Sequence, residues 1–252
     1  MGKALLVIPP VFFAISFVFS MLGMGGAQLY VPLLYWVGGL DFKHGAVPLG
    51  LFLNLVNTSS AATTYARARL VDWRVAVPFG LTMALFAPLG AYVNWRLPTK
   101  GVILAFALFT LVAATLMASG WRPKRRLTGR GRLLLGFLGG AALGITVGLT
   151  GRGGGSFVVP LLYICGLEPK FAAATSSFVV SCSALSGFIS HIFRAKLAPA
   201  LIVATAGAVL AGSQTGSRVM ARKMRHRAVR VVFATVLYGV ALGLIVKDVL
   251  LG

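Results

Sequence analysis

Acidic residues are nearly missing from this chain. Asp41, Asp72, Glu168 and Asp248 are the only four in 252 residues, and each falls in a loop or at a helix end in the hydropathy pattern. No carboxylate is available deep in an apolar segment to build a sodium or proton relay. No acid pair and no cluster of metal-ligating side chains is present, so no metal site, cofactor or enzymatic centre is expected. Ser186 precedes His191 by five positions, a spacing that does not bring two helical side chains face to face. His191 itself reads as an interface histidine. Cysteine is scarce as well: Cys165 and Cys182 lack a C-x-x-C pattern and read as buried thiols. Charged residues of both signs reach only 11%, against roughly 25% in a soluble domain.

Hydrophobic residues make up 58% of the chain. Runs of about 20 apolar residues recur along it, each long enough to span a bilayer as a helix. The fold class is therefore an all-α, polytopic membrane protein. A net charge of +20 would suggest nucleic acid in a soluble protein. Here the basic residues occupy short loops between apolar runs, which is the signature of cytoplasmic loops, with contact to anionic lipid as a further benefit. The bilayer is the expected partner and nucleic acid is not. Lys3 and the apolar run behind it resemble a signal peptide, but the run is long and lacks a clean A-x-A site. Its counterpart, Leu133 to Gly151, is internal, so the first segment is read as retained.

One sentence of sequence occurs twice. Gly23-Met-Gly-Gly-Ala-Gln-Leu-Tyr-Val-Pro-Leu-Leu-Tyr35 returns without a gap as Gly151-Arg-Gly-Gly-Gly-Ser-Phe-Val-Val-Pro-Leu-Leu-Tyr163. Further matches pair Ala68-Arg-Leu70 with Ala195-Lys-Leu197, and Leu89-Gly-Ala91 with Thr215-Gly-Ser217. Apolar segments fall near 4–22, 32–40, 46–66, 75–97 and 102–120, then near 133–150, 160–167, 171–193, 200–221 and 230–251. Each half thus holds one short segment and four long ones. The expected organisation is a first membrane repeat at 1–121, a basic cytoplasmic linker at 122–132 and a second repeat at 133–252.

Charge distribution bears on the orientation of the halves. If each motif forms a re-entrant hairpin, each half crosses an odd number of times and the halves are inverted. Loops 67–74, 122–132 and 218–230, with Lys170, then hold sixteen Lys/Arg on one side, against seven on the other. If helix and short segment cross only once, the halves are parallel and the split is thirteen against ten. The larger asymmetry favours inverted repeats, with three spanning helices beside each hairpin.

Within each motif, glycine permits backbone angles that other residues avoid. Pro32 and Pro160 push the residues before them towards extended geometry and suit a first helical turn. Gly23–Val31 and Gly151–Val159 are thus predicted to be non-helical, with short helices starting near Pro32 and Pro160. Such breaks survive at membrane depth only when buried in protein or lining a watery cavity. The N-termini of the two short helices would converge and present positive dipole ends, which suits an anion. Arg152 adds a charge whose fork matches oxyanions. The candidate substrate-binding residues are Gly23, Gly25, Gly26, Gln28 and Pro32 in the first copy. Gly151, Arg152, Gly153, Gly154, Gly155, Ser156 and Pro160 are their counterparts in the second. Polar residues follow on the next segments: Asn54, Asn57, Thr58, Ser59 and Ser60, then Thr175, Ser176, Ser177, Ser181 and Ser183. Asn54, Asn57, Ser176 and Ser177 are the candidates there, and Gln214 is a weaker one. Close helix packing competes as an account of the small residues, interhelical hydrogen bonding as one of the hydroxyls, and snorkelling or a loop carboxylate as one of Arg152.

The two glycine motifs, each followed by V-P-L-L, resemble the TauE/SafE family of sulfite exporters across nearly the full chain. Supporting matches are Ala174-Thr-Ser-Ser177, the Ala68-Arg-Leu-Val-Asp72 loop, Gly90 and Gly216. The resemblance implies a multi-span permease of the bacterial inner membrane that exports sulfite, sulfoacetate or related organosulfur anions. Ala27 departs from it where a third glycine is common, as does Arg152 within the second motif. Val47-Pro48-Leu49 stands where the second half has Thr-Ser-Ser. A passive anion channel and, less favoured, a non-transporting receptor or assembly subunit remain as alternatives.

Overall fold

The structure is a computed structural model that describes residues 2–94, 111, 115, 119, 129–150, 155–164, 166–192, 195 and 199–244. Every regular element among these described residues is helical. In chain order they are α1 (Gly2–Leu22), α2 (Ala27–Trp36), α3 (Val47–Arg67), α4 (Trp73–Asn94), α5 (Gly129–Leu134), α6 (Gly140–Thr150), α7 (Gly155–Ile164), α8 (Pro169–Ile192), α9 (Pro199–Lys223) and α10 (His226–Leu244). Single π-helical turns at Phe42–Ala46 and Leu135–Gly139 lead into α3 and join α5 to α6. Trp73–Gly90, Pro169–Ile192 and Pro199–Lys223 are long and apolar enough to cross a membrane, and Val7–Leu22 and Gly136–Val147 are shorter apolar helices. The basic stretch expected as a linker is helical from Gly129 onward, while residues 122–128 and most of the 102–120 segment lie outside the described residues.

The acidic residues that are described sit where helices begin. The Asp72 carbonyl accepts from Val75 and Ala76 N–H and its carboxylate from Arg74 N–H, starting α4. Glu168 accepts from Ala172 N–H at the start of α8, and Asp41 from His44 N–H before α3. Negative charge at these positions complements the free N–H groups of a first turn.

Packing crosses between the two parts of the chain. α1 lies along α9 and α4 along α6; α3 packs on α8, α4 on α8, and α3 on α9. Glycine makes the tightest crossings possible. A Cβ on Gly216 would collide with the Phe17 carbonyl, and one on Gly90 with the Ile145 carbonyl. Small residues of this kind let helices approach where lipid supplies no hydrophobic drive for association. Short α2 lies against α3, and α7 against α8.

The chain reverses after α1. Gly23, in the left-handed region at φ +69°, ends that helix by donating to the Ser20 carbonyl, and Met24 N–H donates to Phe19, both at 3.2 Å. The Phe12 and Tyr30 rings then sit 4.7 Å apart. Collinear helices would separate these residues by roughly 25 Å at 1.5 Å per residue, so α2 folds back beside α1.

Candidate functional site

The helix starts differ from the sequence expectation. α2 begins at Ala27 and α7 at Gly155, about five residues before Pro32 and Pro160, which lie inside their helices. In the first copy the break is confined to Gly23–Gly26. The physical reason is visible at Gly26, whose carbonyl accepts from Leu29 and Tyr30 N–H, both at 2.9 Å. Ala27 N–H, left over at the helix start, donates to Asn54 Oδ1 at 3.3 Å. With the N-terminus satisfied this early, a proline further along removes only one internal bond.

Each predicted residue of the first copy has a distinct place. The Gly23 carbonyl accepts from Ser176 Oγ at 2.8 Å, and a Cβ on Gly23 would collide with the Ala173 carbonyl on α8. Gly25, at φ +68°, lies against the Asn54 amide. Gln28 donates through Nε2 to Ser156 Oγ on α7. Gly155 presses on the Met24 backbone with no room for a side chain. The two helix N-termini therefore do come together, joined by residues at matching positions of the repeated motif. Gly151, Arg152, Gly153 and Gly154 lie outside the described residues, as does Cys165.

Two buried polar atoms at this junction have no partner among the described residues, Gln28 Oε1 and Asn54 Nδ2; the hydroxyl of Tyr163 is a third elsewhere in α7. A buried polar group without a partner costs about 1–3 kcal/mol. Donor and acceptor capacity is thus held in reserve where α2 meets α7.

The hydroxyl-rich segments contribute less than the sequence suggests. Ser177 donates to Ala173 and Thr58 to Asn54, carbonyls four residues back on their own helices, and Ser59 does likewise to Leu55. Ser181 and Ser183 bond three residues back. Thr175 accepts from Asp72 N–H and so fixes the α3–α4 loop. Asn57 is absorbed by packing: it donates to the Tyr30 hydroxyl at 3.3 Å and accepts from Ser16 Oγ at 3.2 Å. Asn54 and Ser176 are the members of these runs that reach the glycine break at the start of the first motif. Ser186 donates to the Ala84 carbonyl on α4 at 2.8 Å.

The basic residues build a feature that a count of loop charges does not reveal. Arg67 from α3 and Arg218 and Arg222 from α9 line one cavity of about 370 Å3, with Thr64 and Gln214. Lys170 Nζ donates to the Ala221 and Met224 carbonyls at 2.7 and 3.2 Å, closing the end of α9. The available signal was the helical spacing of Gln214, Arg218 and Arg222 on one face.

Comparison with known proteins covers most of the chain. Residues 8–244 match the family described as Sulfite exporter TauE/SafE. A probable membrane transporter protein of Methanocaldococcus jannaschii is 24% identical over 185 residues, 71% of this chain and 69% of its own length. A similarly described protein of Xylella fastidiosa is 28% identical over 169 residues, covering 66% of this chain and 65% of that one. Another, from Bacillus subtilis, is 23% identical over 255 residues, 91% of this chain and 93% of its own length.

Proposed function

The chain belongs to the sulfite exporter TauE/SafE family, and on that footing we propose that it is a multi-pass membrane transporter of small anions. Sulfite and organosulfonates such as sulfoacetate are the substrates proposed, moved outward across a bacterial inner membrane. The observation that carries this reading is the junction of α2 and α7. Two helix N-termini meet there, linked by Gln28 and Ser156, beside the unpartnered donor Asn54 Nδ2. Converging N-termini favour negative charge, and amide and hydroxyl donors suit an oxyanion. In this reading Arg152 supplies the matching charge from the second motif, and Ser176 holds the first motif in place.

The same proposal includes two repeats, 1–121 and 133–252, joined by the basic stretch at 122–132 and inverted relative to one another. The exchange of packing partners supports it. α1 corresponds to α5–α6 and α4 to α9, so α1 on α9 and α4 on α6 are one interface made twice. The two glycine crossings are equivalents too, Gly216 on Phe17 and Gly90 on Ile145. Rocking of one repeat against the other around the α2–α7 junction would then give alternating access. An inside-negative potential favours anion efflux by about 2.3 kcal/mol per charge per 100 mV, without a coupling ion.

Purified protein screened by thermal shift against sulfite, sulfate, thiosulfate and sulfonates should be stabilised by its substrate, because a ligand of the native state raises its stability. In proteoliposomes the same anion should flow in response to imposed voltage, with saturation and counterflow. Flux without saturation or counterflow would assign a passive channel, and stabilisation by no anion would remove the reading.

A further inference from the structure

The interface of α3 with α9 is apolar at one end, where Leu49 and Leu53 share a cluster with Leu201 and Val209, and polar from Asn57 onward to the arginine-lined cavity. Nearest α2, Ser213 Oγ donates to the Asn57 carbonyl at 2.7 Å, and Asn57 donates to Tyr30. One turn on, Gln214 Nε2 donates to Ser60 Oγ at 2.7 Å, and Thr64 Oγ1 lies 3.5 Å from Gln214 Oε1. Beyond them Arg67, Arg218 and Arg222 stand exposed around the opening. None of the lining residues is acidic, and none of the three arginines forms an ion pair among the described residues. Three guanidiniums around one cavity repel one another, and an anion between them relieves that repulsion while taking up their forked N–H groups. The half-buried Thr64 and Gln214 supply neutral polar groups on the inner wall.

We propose that this cavity is an oxyanion-binding site, distinct from the α2–α7 junction, and that it loads anions onto the polar α3–α9 seam. The chemistry recognised is a compact oxyanion carrying sulfur or phosphorus, either free in solution or as the phosphate of an anionic lipid headgroup. The loading role rests on the transport reading above; the binding site does not.

Sulfate is the probe, titrated into full-length protein in phosphatidylcholine nanodiscs at constant ionic strength. Arg218→Ala combined with Arg222→Ala should weaken sulfate binding by about tenfold or more, and Arg218→Lys by less, because lysine keeps the charge but not the fork. Arg74→Ala, in the first turn of α4 outside the cavity, should match the wild type. An unchanged melting temperature checks that the double variant is folded. Equal sulfate binding by wild type and double variant, or no binding by either, overturns the site. Phosphatidylglycerol nanodiscs separate the two sources: weaker sulfate binding there assigns a lipid headgroup as competing occupant, and unchanged binding assigns the free ion. Gln28→Ala should keep cavity binding while losing flux. A double variant that loses binding yet transports at the wild-type rate overturns the loading role alone. Cavity binding with no flux of any anion counts against the transport reading and leaves the site standing.

Discussion

Ala27 and Gly155 hold the same position in the two copies of the motif, and their surroundings differ. Ala27 is buried with its methyl accommodated, and its N–H is taken by Asn54. Gly155 has the Met24 backbone where a methyl would go. The same inequality runs through the helix interfaces. Between α3 and α9 the facing groups are Asn57 with Ser213 and Ser60 with Gln214. Between α8 and α4, which the proposed repeats match to α3 and α9, Gly80 meets Cys182 and Phe178, Trp73 stacks edge-on to Phe178, and Ser186 supplies a hydroxyl to Ala84. In the frame that aligns Gly90 with Gly216, Pro88 and Tyr92 occupy the places of Gln214 and Arg218. One interface is thus joined by paired polar side chains around Asn57 and Ser60, and the other mainly by apolar and aromatic ones.

The sharpest way to break this comparison is to make the motif copies alike. Gly155→Ala should cost about 3 kcal/mol and lower the melting temperature in detergent, because a backbone cannot move aside as a side chain can. The converse change, Ala27→Gly, should cost only about 1 kcal/mol, the helix preference of alanine. Near-equal melting temperatures for the two variants would mean that the copies are equivalent after all. Next come Gly90→Ala and Gly216→Ala, each expected to cost about 2 kcal/mol by overpacking. Here the copies should agree, since both glycines cross a carbonyl in the same way, and a large disparity in melting would argue against matched crossings. The interfaces are tested by flux. Gln214→Leu should reduce anion transport by about tenfold, or about 1.4 kcal/mol, while Ser186→Ala between α8 and α4 should leave it within about twofold. Equal losses would erase the distinction between them. Smallest is Arg69, which holds the left-handed position after α3 at φ 55°. Arg69→Gly should raise stability by about 1 kcal/mol in a denaturation curve by relieving that strain.

Local signals were readable where glycine and proline set them. The helix end at Gly23 and the matching positions of Gln28 and Ser156 follow from the repeated motif. A proline suggests a helix start, yet the Gly26 carbonyl and the Asn54 side chain open α2 five residues before Pro32. Hydroxyl runs on α3 and α8 look like a cavity wall in sequence, yet Ser177, Thr58 and Ser59 bond to their own helices, an outlet that leaves no mark in composition. The arginine cavity was hidden for another reason. Arg67 and Arg218 lie far apart in the chain, and charge counting assigns a side of the membrane, not a neighbour.

The α1–α9 pairing also sets the order in which the protein can be completed. Ser16 donates to the carbonyl of Val209, 193 residues further on. A ribosome delivers α1 well before α9, so α1 must wait in the bilayer with this partner unmade. Its serines make that wait tolerable, because a hydroxyl can bond within its own helix, as Ser20 does to Phe17. A chain halted before α9 would leave this face of α1 open to lipid, and the cell would see an orphan helix, not half a transporter.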